Sequence, residues 1–80
     1  MKPEYEILGI YIKEPEQAYN DVQSLMTSFG CIIRTRLGVN RKELNGGIII
    51  LDITGDDAQK QLFRRKLEEI QGVEIQEMSF

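Results

Sequence analysis

Apolar and polar positions along the chain alternate with two different periods, in an order that occurs twice. Residues 5–12, 31–37, 48–54 and 73–78 form short apolar or alternating runs that are typical of β-strands. Residues 15–29 and 56–71 instead repeat apolar side chains at the three- and four-residue spacing of a helix. Gly30 and Gly72 follow the two helices at matching places, where a glycine can end a helix in the left-handed conformation. The pattern predicts one strand-helix-strand unit, present twice.

The apolar stripes of the helices predict which side chains they bury. In the first helix these are Ala18, Val22, Leu25, Met26 and Phe29, and in the second they are Ala58, Leu62, Phe63, Leu67 and Ile70. Asp56 and Asp57 are placed to cap the second helix. Its other face is expected to be solvated, with Asp56–Lys60 and Arg64–Glu68 paired four residues apart. An acidic partner for the basic residues of that face is the alternative: Lys60, Arg64, Arg65 and Lys66.

The hydrophobicity of the strands predicts their places in a sheet. Residues 5–12 and 47–53 are apolar on both faces and are expected to be central; taken as a pair, they suggest parallel strands joined by crossovers. The strands at 31–37 and 73–78 contain more polar residues and are expected at the edges. The complete order predicts an α+β ferredoxin-like βαββαβ sandwich. Its four-stranded antiparallel sheet has the order 4-1-3-2, with both helices on one face.

Two helices on one face leave the other face of the sheet open. Alternation directs one set of side chains at the helices, namely Leu8, Ile10, Ile12, Ile49, Leu51 and Ile53. The opposite set then faces outward, namely Tyr5, Ile7, Gly9, Tyr11, Ile48 and Ile50. Because an exposed apolar face of this size usually marks an interface, we expect a homo-oligomer, a dimer or a tetramer. Its predicted contact residues are Ile7, Tyr11, Ile48 and Ile50.

Length and composition narrow the class of protein. Eighty residues predict a single domain over residues 1–80, and 41% hydrophobic with 29% charged residues is typical of soluble globular domains. The net charge of −3 argues against direct nucleic-acid binding, which relies on clustered lysine and arginine. No apolar run approaches the roughly 20 residues that span a bilayer, and no signal-peptide pattern opens the chain. We therefore expect no membrane association and a cytoplasmic location.

The residue types needed for catalysis are scarce. The chain has no histidine and one cysteine, so it offers neither a nucleophile-base pair nor a familiar set of metal ligands. We expect no enzymatic activity and no cofactor. Cys31 is expected to be a small buried residue at a strand start, with a reactive thiol as the alternative. Asp52 is expected near a strand end or bonded to an arginine such as Arg36.

The connection between the second and third strands, residues 38–47, permits two interpretations. Its end, Asn45-Gly46-Gly47, has the chemistry of a turn, so a mobile hairpin is expected. The alternative is a local anion or ligand contact assisted by backbone N–H groups. Its residues would be Arg34, Arg36, Gly38 and Arg41, with Lys42 beside them.

Two functions known on this topology are not supported. Single-stranded RNA readers need aromatic side chains on the open face of both central strands, and here the third strand has only aliphatic ones. Small acyl-phosphate hydrolases place an arginine in a glycine-rich loop after the first strand, where this chain has Lys13-Glu14-Pro15.

Several collinear segments resemble the small stand-alone ACT-like proteins named as iron-only hydrogenase system regulators. The matching segments are Ile7–Ile12, Arg36–Val39, Gly47–Asp57, Lys66–Leu67 and Ile70–Ile75. The resemblance implies an oligomeric regulatory module that senses a small molecule at a subunit interface. The chain is also similar to the effector domain of nickel-responsive repressors, but it lacks the histidines of that nickel site. Of the Asp-x-Pro-Gly motif typical of amino-acid-binding ACT domains, it retains only the proline, Pro15.

The leading hypothesis is a non-enzymatic ACT-like regulator, of transcription or of a hydrogenase system, that oligomerises and senses a small molecule at a subunit interface. The second is an effector-binding domain whose ligand lies beside Gly38 and the first helix, and the alternative without a ligand is a protein-protein adaptor or oligomerisation domain. The third is an enzyme, for which the sequence offers no nucleophile-base pair.

Overall fold

The computed structural model describes residues 3–13, 16–41 and 46–80. Two helices and four strands follow in the predicted order: β1 (Glu6–Ile12), α1 (Glu16–Ser28), β2 (Ile33–Asn40), β3 (Gly47–Ile53), α2 (Asp57–Glu68) and β4 (Val73–Ser79). A short 3₁₀ helix, Gly30–Ile32, precedes β2 and delays its start by two residues relative to the prediction. The predicted first residue of α1, Pro15, lies outside the described residues.

The sheet has the order β2-β3-β1-β4, and its neighbouring strands are antiparallel. This confirms the predicted sandwich and the edge positions of β2 and β4. The expectation that the central strands run parallel was wrong, because β1 pairs with β3 in antiparallel register, with Ile10 opposite Ile49. A helical crossover makes the two strands of one unit parallel, whereas β1 and β3 belong to different units joined by a chain reversal.

The core lies between the helices and one face of the sheet. The six strand residues predicted to face the helices are all buried, and they pack against Ala18, Val22 and Met26 of α1 and Phe63 and Leu67 of α2. The rings of Phe29 and Phe63 meet at a centroid distance of 5.2 Å. Alternation along the strands therefore predicted the inner face correctly. On the helices the prediction was less accurate, since Leu25, Leu62 and Ile70 are only partly buried and Ala58 is exposed.

The predicted solvated face of α2 contains a buried lysine. Lys60 is 7% exposed, and its ammonium donates a hydrogen bond to the carboxylate of Glu6 on β1. Arg64 contacts the same carboxylate and also Glu77 on β4. These cross-element contacts replace the predicted Asp56–Lys60 and Arg64–Glu68 pairs, because α2 lies with this side against β1 and β4. Asp56 caps the helix as predicted, accepting from the backbone N–H of Gln59 at 3.2 Å.

The residues around the helix ends differ in part from the prediction. Gly72 adopts the left-handed conformation with φ of 89°, as expected after α2. Gly30 does not, because the chain continues from α1 directly into the 3₁₀ helix. That helix also contains Cys31, which is exposed rather than buried. No helix in the described part of the chain is long and apolar enough to cross a membrane.

Candidate functional site

A groove of about 360 Å³ lies between the first turns of α1 and the β2-β3 side of the sheet. A volume of this size falls in the range of small-molecule sites. Its lining residues lie in the first half of α1, at the end of β1 and along β2 and β3: Ile12, Lys13, Glu16, Tyr19, Gln23, Arg36, Gly38, Asn40, Gly46, Gly47, Ile48 and Ile49.

The alternation of β2 produces the open side of this groove. Arg36, Gly38 and Asn40 pair with Leu51, Ile49 and Gly47 of β3, so they lie on the helix side of the sheet. At Gly38 a Cβ atom would meet nothing within 4 Å. The missing side chain at Gly38 therefore leaves space between α1 and the edge strand, and this space is the middle of the groove.

Arg36 supplies the cationic group of the groove. Its guanidinium Nη2 donates to the side-chain oxygen of Gln23 on α1 at 3.1 Å, so a neutral amide holds it in place. The Lys13 ammonium instead lies 3.5 Å from the carboxylate of Glu74 on β4. Glu16 adds an acidic group and Tyr19 a half-exposed phenol at the α1 wall. The groove thus combines a guanidinium, which suits a carboxylate or a phosphate, with an apolar floor.

Two glycines keep the chain close to the end of β1. A Cβ atom on Gly46 would lie 2.5 Å from the carbonyl oxygen of Ile12 and 3.2 Å from that of Lys13. A Cβ atom on Gly47 would collide with the side chain of Asn40. Gly46 needs to be glycine because backbone atoms occupy the space of a side chain, whereas at Gly47 a rotation of the Asn40 side chain could make room. The close approach at Gly46 forms one end of the groove.

The candidate ligand residues from the sequence divide into two groups. Arg36 and Gly38 line the groove, whereas Arg34 and Arg41 are exposed outside its lining and Lys42 lies outside the described residues. Sequence reasoning missed Tyr19, Gln23 and Asn40. The signal was present in the spacing, since Asn40 continues the alternation of Arg36 and Gly38, and Glu16, Tyr19 and Gln23 recur at helical intervals.

The second candidate surface is the open face of the sheet. Strand pairing arranges its side chains in three rows across β2, β3, β1 and β4: Thr35-Asp52-Ile7-Met78, Leu37-Ile50-Gly9-Gln76 and Val39-Ile48-Tyr11-Glu74. Several apolar members are well exposed, with 58% for Leu37, 53% for Met78 and 40% for Ile48. The predicted interface residues Ile7, Tyr11, Ile48 and Ile50 all lie in this grid, and the α-helices cover none of it.

Asp52 belongs to the open face, opposite Ile7 on β1 and Thr35 on β2. Asp52 is the last residue but one of β3, so the expected place near the strand end is confirmed. The alternative, a bond to Arg36, is not formed, because Arg36 lies on the helix side and donates to Gln23. Among residues 3–13, 16–41 and 46–80, no three His, Cys, Asp or Glu side chains come together in a way that would hold a metal ion.

Comparison with known proteins gives one family and one fold. A family model described as "TM1266-like: Iron-only hydrogenase system regulator, putative" matches residues 4–77. The uncharacterized protein TM1266 from Thermotoga maritima is similar, with 29% identity, a TM-score of 0.88 and 99% of each chain covered. The ACT domain of a GTP pyrophosphokinase from Chlorobium tepidum is similar at a TM-score of 0.71, covering 96% of this chain and 100% of that domain. At 17% identity, that likeness concerns the fold. No curated protein matches the chain.

Proposed function

The chain belongs to the TM1266-like family, and from that premise we propose that it is a non-enzymatic regulatory module that assembles with copies of itself and binds a small molecule. The system that we propose it regulates is the iron-only hydrogenase system in the family's description. The description, together with the resemblance to an ACT domain, supports regulation; assembly and ligand binding rest on the geometry of this chain.

One observation links the proposed assembly to the proposed ligand binding. The side chain of Ile48 lies on the open face, opposite Tyr11 of β1, so the main chain of this residue is the part that borders the groove beside α1. A second copy packed on the open face would therefore touch a residue that a ligand in the groove also touches. If a ligand in the groove shifts this residue, the ligand changes the free energy of assembly, and assembly changes the free energy of ligand binding by the same amount. This is the property that a ligand-responsive regulator needs.

The chemistry of the groove suggests the class of ligand. Arg36 provides a guanidinium for a carboxylate or a phosphate, and Ile12 and Ile49 provide apolar contacts. We propose a small organic anion with an apolar portion. Gly38 is proposed to admit the ligand, because a side chain at this position would extend into the open groove.

The experiment has two parts. Sedimentation velocity across micromolar concentrations should show a dimer or a tetramer, and a monomer throughout would overturn the proposed assembly. Thermal unfolding is then followed with inorganic phosphate, dicarboxylates, amino acids and nucleotides. A ligand present at one hundred times its dissociation constant adds about 2.7 kcal/mol of stability.

Arg36→Gln should abolish the stabilisation by any anion that binds in the groove. Arg34→Gln is the matched control, since Arg34 is exposed on the same strand outside the groove. If no compound stabilises the wild-type protein, the alternative function is favoured, a protein-protein adaptor that assembles without a ligand.

A further inference from the structure

Gly9 occupies the centre of the open face. It lies on β1 between Ile50 of β3 and Gln76 of β4, and Ile7 and Tyr11 flank it on its own strand. Every other position of the middle row has a side chain. The missing side chain leaves a pit whose walls are mainly apolar.

The chain itself does not require glycine here. Gly9 is not among the glycines with positive φ, and a Cβ atom would meet only the carbonyl oxygen of Gln76 at 3.9 Å, an ordinary contact. Gly46 contrasts with it, because a Cβ there would lie 2.5 Å from a backbone oxygen. Glycine inside a strand destabilises it relative to alanine, because glycine loses more conformational freedom on folding. Such a glycine often marks a place where another molecule approaches the backbone closely.

The open face also contains side chains that would fill such a pit. Leu37 and Ile48 are exposed aliphatic residues on β2 and β3 of the same surface. When a pit and a protruding side chain lie on one surface, a two-fold axis that passes midway between them brings each pit onto the protruding side chain of the other copy. A second copy therefore fills two pits in one association.

Because the open face is small, the fit at its centre has a large effect on the affinity of assembly. A specific interface buries at least about 1,000 Å² in total, so each copy has to contribute roughly 500 Å². A second copy matches this area fully, because its open face has the same dimensions. At this size, a gap or a clash at the centre affects a large share of the contact.

We propose that the Gly9 pit receives an aliphatic side chain of a second copy of this chain and thereby selects face-to-face self-association. The proposal rests on the proposed assembly through the open face. It adds that Gly9 determines how closely the two sheets pack.

Filling the pit tests it. Gly9→Val should raise the dissociation constant of the assembly at least tenfold, and Gly9→Ala should raise it less. The monomer should keep its urea midpoint or gain stability, because the Cβ has room and valine favours strands. Gly30→Ala is the control, since a Cβ there meets nothing within 4 Å and Gly30 belongs to the 3₁₀ helix before β2 rather than to the open face.

A double-mutant cycle identifies the inserted side chain. Leu37→Ala and Ile48→Ala should each be measured in the wild-type and Gly9→Val backgrounds, and the inserted residue should lose its effect when the pit is filled. If the wild type assembles and Gly9→Val assembles with the same dissociation constant, the proposed role of Gly9 is wrong, but the proposed assembly through the open face is not affected. A wild type that is monomeric overturns both.

Discussion

The carboxylate of Glu6 on β1 and the ammonium of Lys60 on α2 form a buried ion pair, although they lie 54 positions apart in the chain. Each side chain is 9% exposed. Arg64 contacts the other carboxylate oxygen of Glu6 and reaches Glu77 on β4, with 2.5 Å between Nη2 and Oε1. Lys60 also lies 3.3 Å from Asp57. The cluster joins α2 to two strands and sets the orientation of the helix on the sheet.

Removing one partner of this pair should be costly. Glu6→Gln removes the buried carboxylate and leaves Asp57 as the remaining acidic partner of the Lys60 ammonium, so the loss should approach but stay below the about 3–5 kcal/mol of a fully unpaired buried charge. Adding Lys60→Met to Glu6→Gln should recover part of the lost unfolding free energy, because the second change removes the buried ammonium that has lost its partner Glu6. Urea unfolding of both variants measures this coupling. Glu68→Gln on the exposed side of α2 is the control, and purely additive effects would contradict the pairing.

Stability should depend on pH through the same pair. Burial opposes ionisation of Glu6, but hydrogen bonds from Lys60 and Arg64 outweigh it and hold its pKa below the ordinary value of 4.5. The resulting stability is complete above pH 4.5 and is lost as the pH falls through the lowered pKa of the folded protein. The urea midpoint of the wild type should therefore fall in acid, and that of Glu6→Gln should fall less. Equal acid slopes would contradict this origin.

At alkaline pH, the contribution of Lys60 to stability decreases as the pH rises. The hydrogen bond to Glu6 raises the pKa of Lys60 above its ordinary value of 10.5, against the opposing effect of burial. The contribution of Lys60 is complete below pH 10.5 and is lost as the pH rises through the raised pKa. Lys60→Met should lack this alkaline loss when its urea midpoint is followed at increasing pH.

A charge on the open face should prevent assembly without unfolding the chain. Ile48→Asp or Ile50→Asp would place a carboxylate in the proposed contact, where it would be desolvated without a partner. Sedimentation should show a monomer, and circular dichroism should show unchanged helix content. Ala58→Asp is the control, because Ala58 is exposed on α2, on the other side of the sheet. A variant that stays assembled would exclude this face as the interface.

The close approach at Gly46 should make it sensitive to a single methyl group. Gly46→Ala forces a Cβ to within 2.5 Å of the Ile12 carbonyl oxygen unless the backbone moves, and overpacking of this kind costs about 1–3 kcal/mol. Gly38→Ala, whose Cβ meets open space, should change the unfolding free energy much less. Similar losses at both positions would show that conformational freedom, rather than close approach, explains Gly46.

Cys31 should behave as a surface thiol. It lies exposed in the 3₁₀ helix before β2, so a thiol reagent should modify it fully in the folded protein. Cys31→Ser should change stability by no more than about 0.5 kcal/mol, as for most surface substitutions. Protection from the reagent in the absence of urea would contradict the exposed position.

Local sequence patterns were sufficient to predict the helices and strands and to assign side chains to the two faces of the sheet. Alternation in β1 and β3 is a property of the strand itself, so Ile10 and Ile49 could be assigned to the buried face before their pairing was known. The predicted homo-oligomer contacts follow from the same alternation, and they stay a prediction. The order of strands and helices then selected the sandwich, since few topologies connect such elements without crossing.

The sequence by itself thus determined the βαββαβ order, the buried strand face and the open apolar face, because each depends on side chains a few residues apart. Only the tertiary structure decided that Lys60 is buried, because its partner Glu6 is on a distant strand. Only the tertiary structure brought Arg36 to Gln23 and turned Asp52 away from it. Those contacts depend on the register of β2 against β3 and on the position of α1 over the sheet, which no local period encodes.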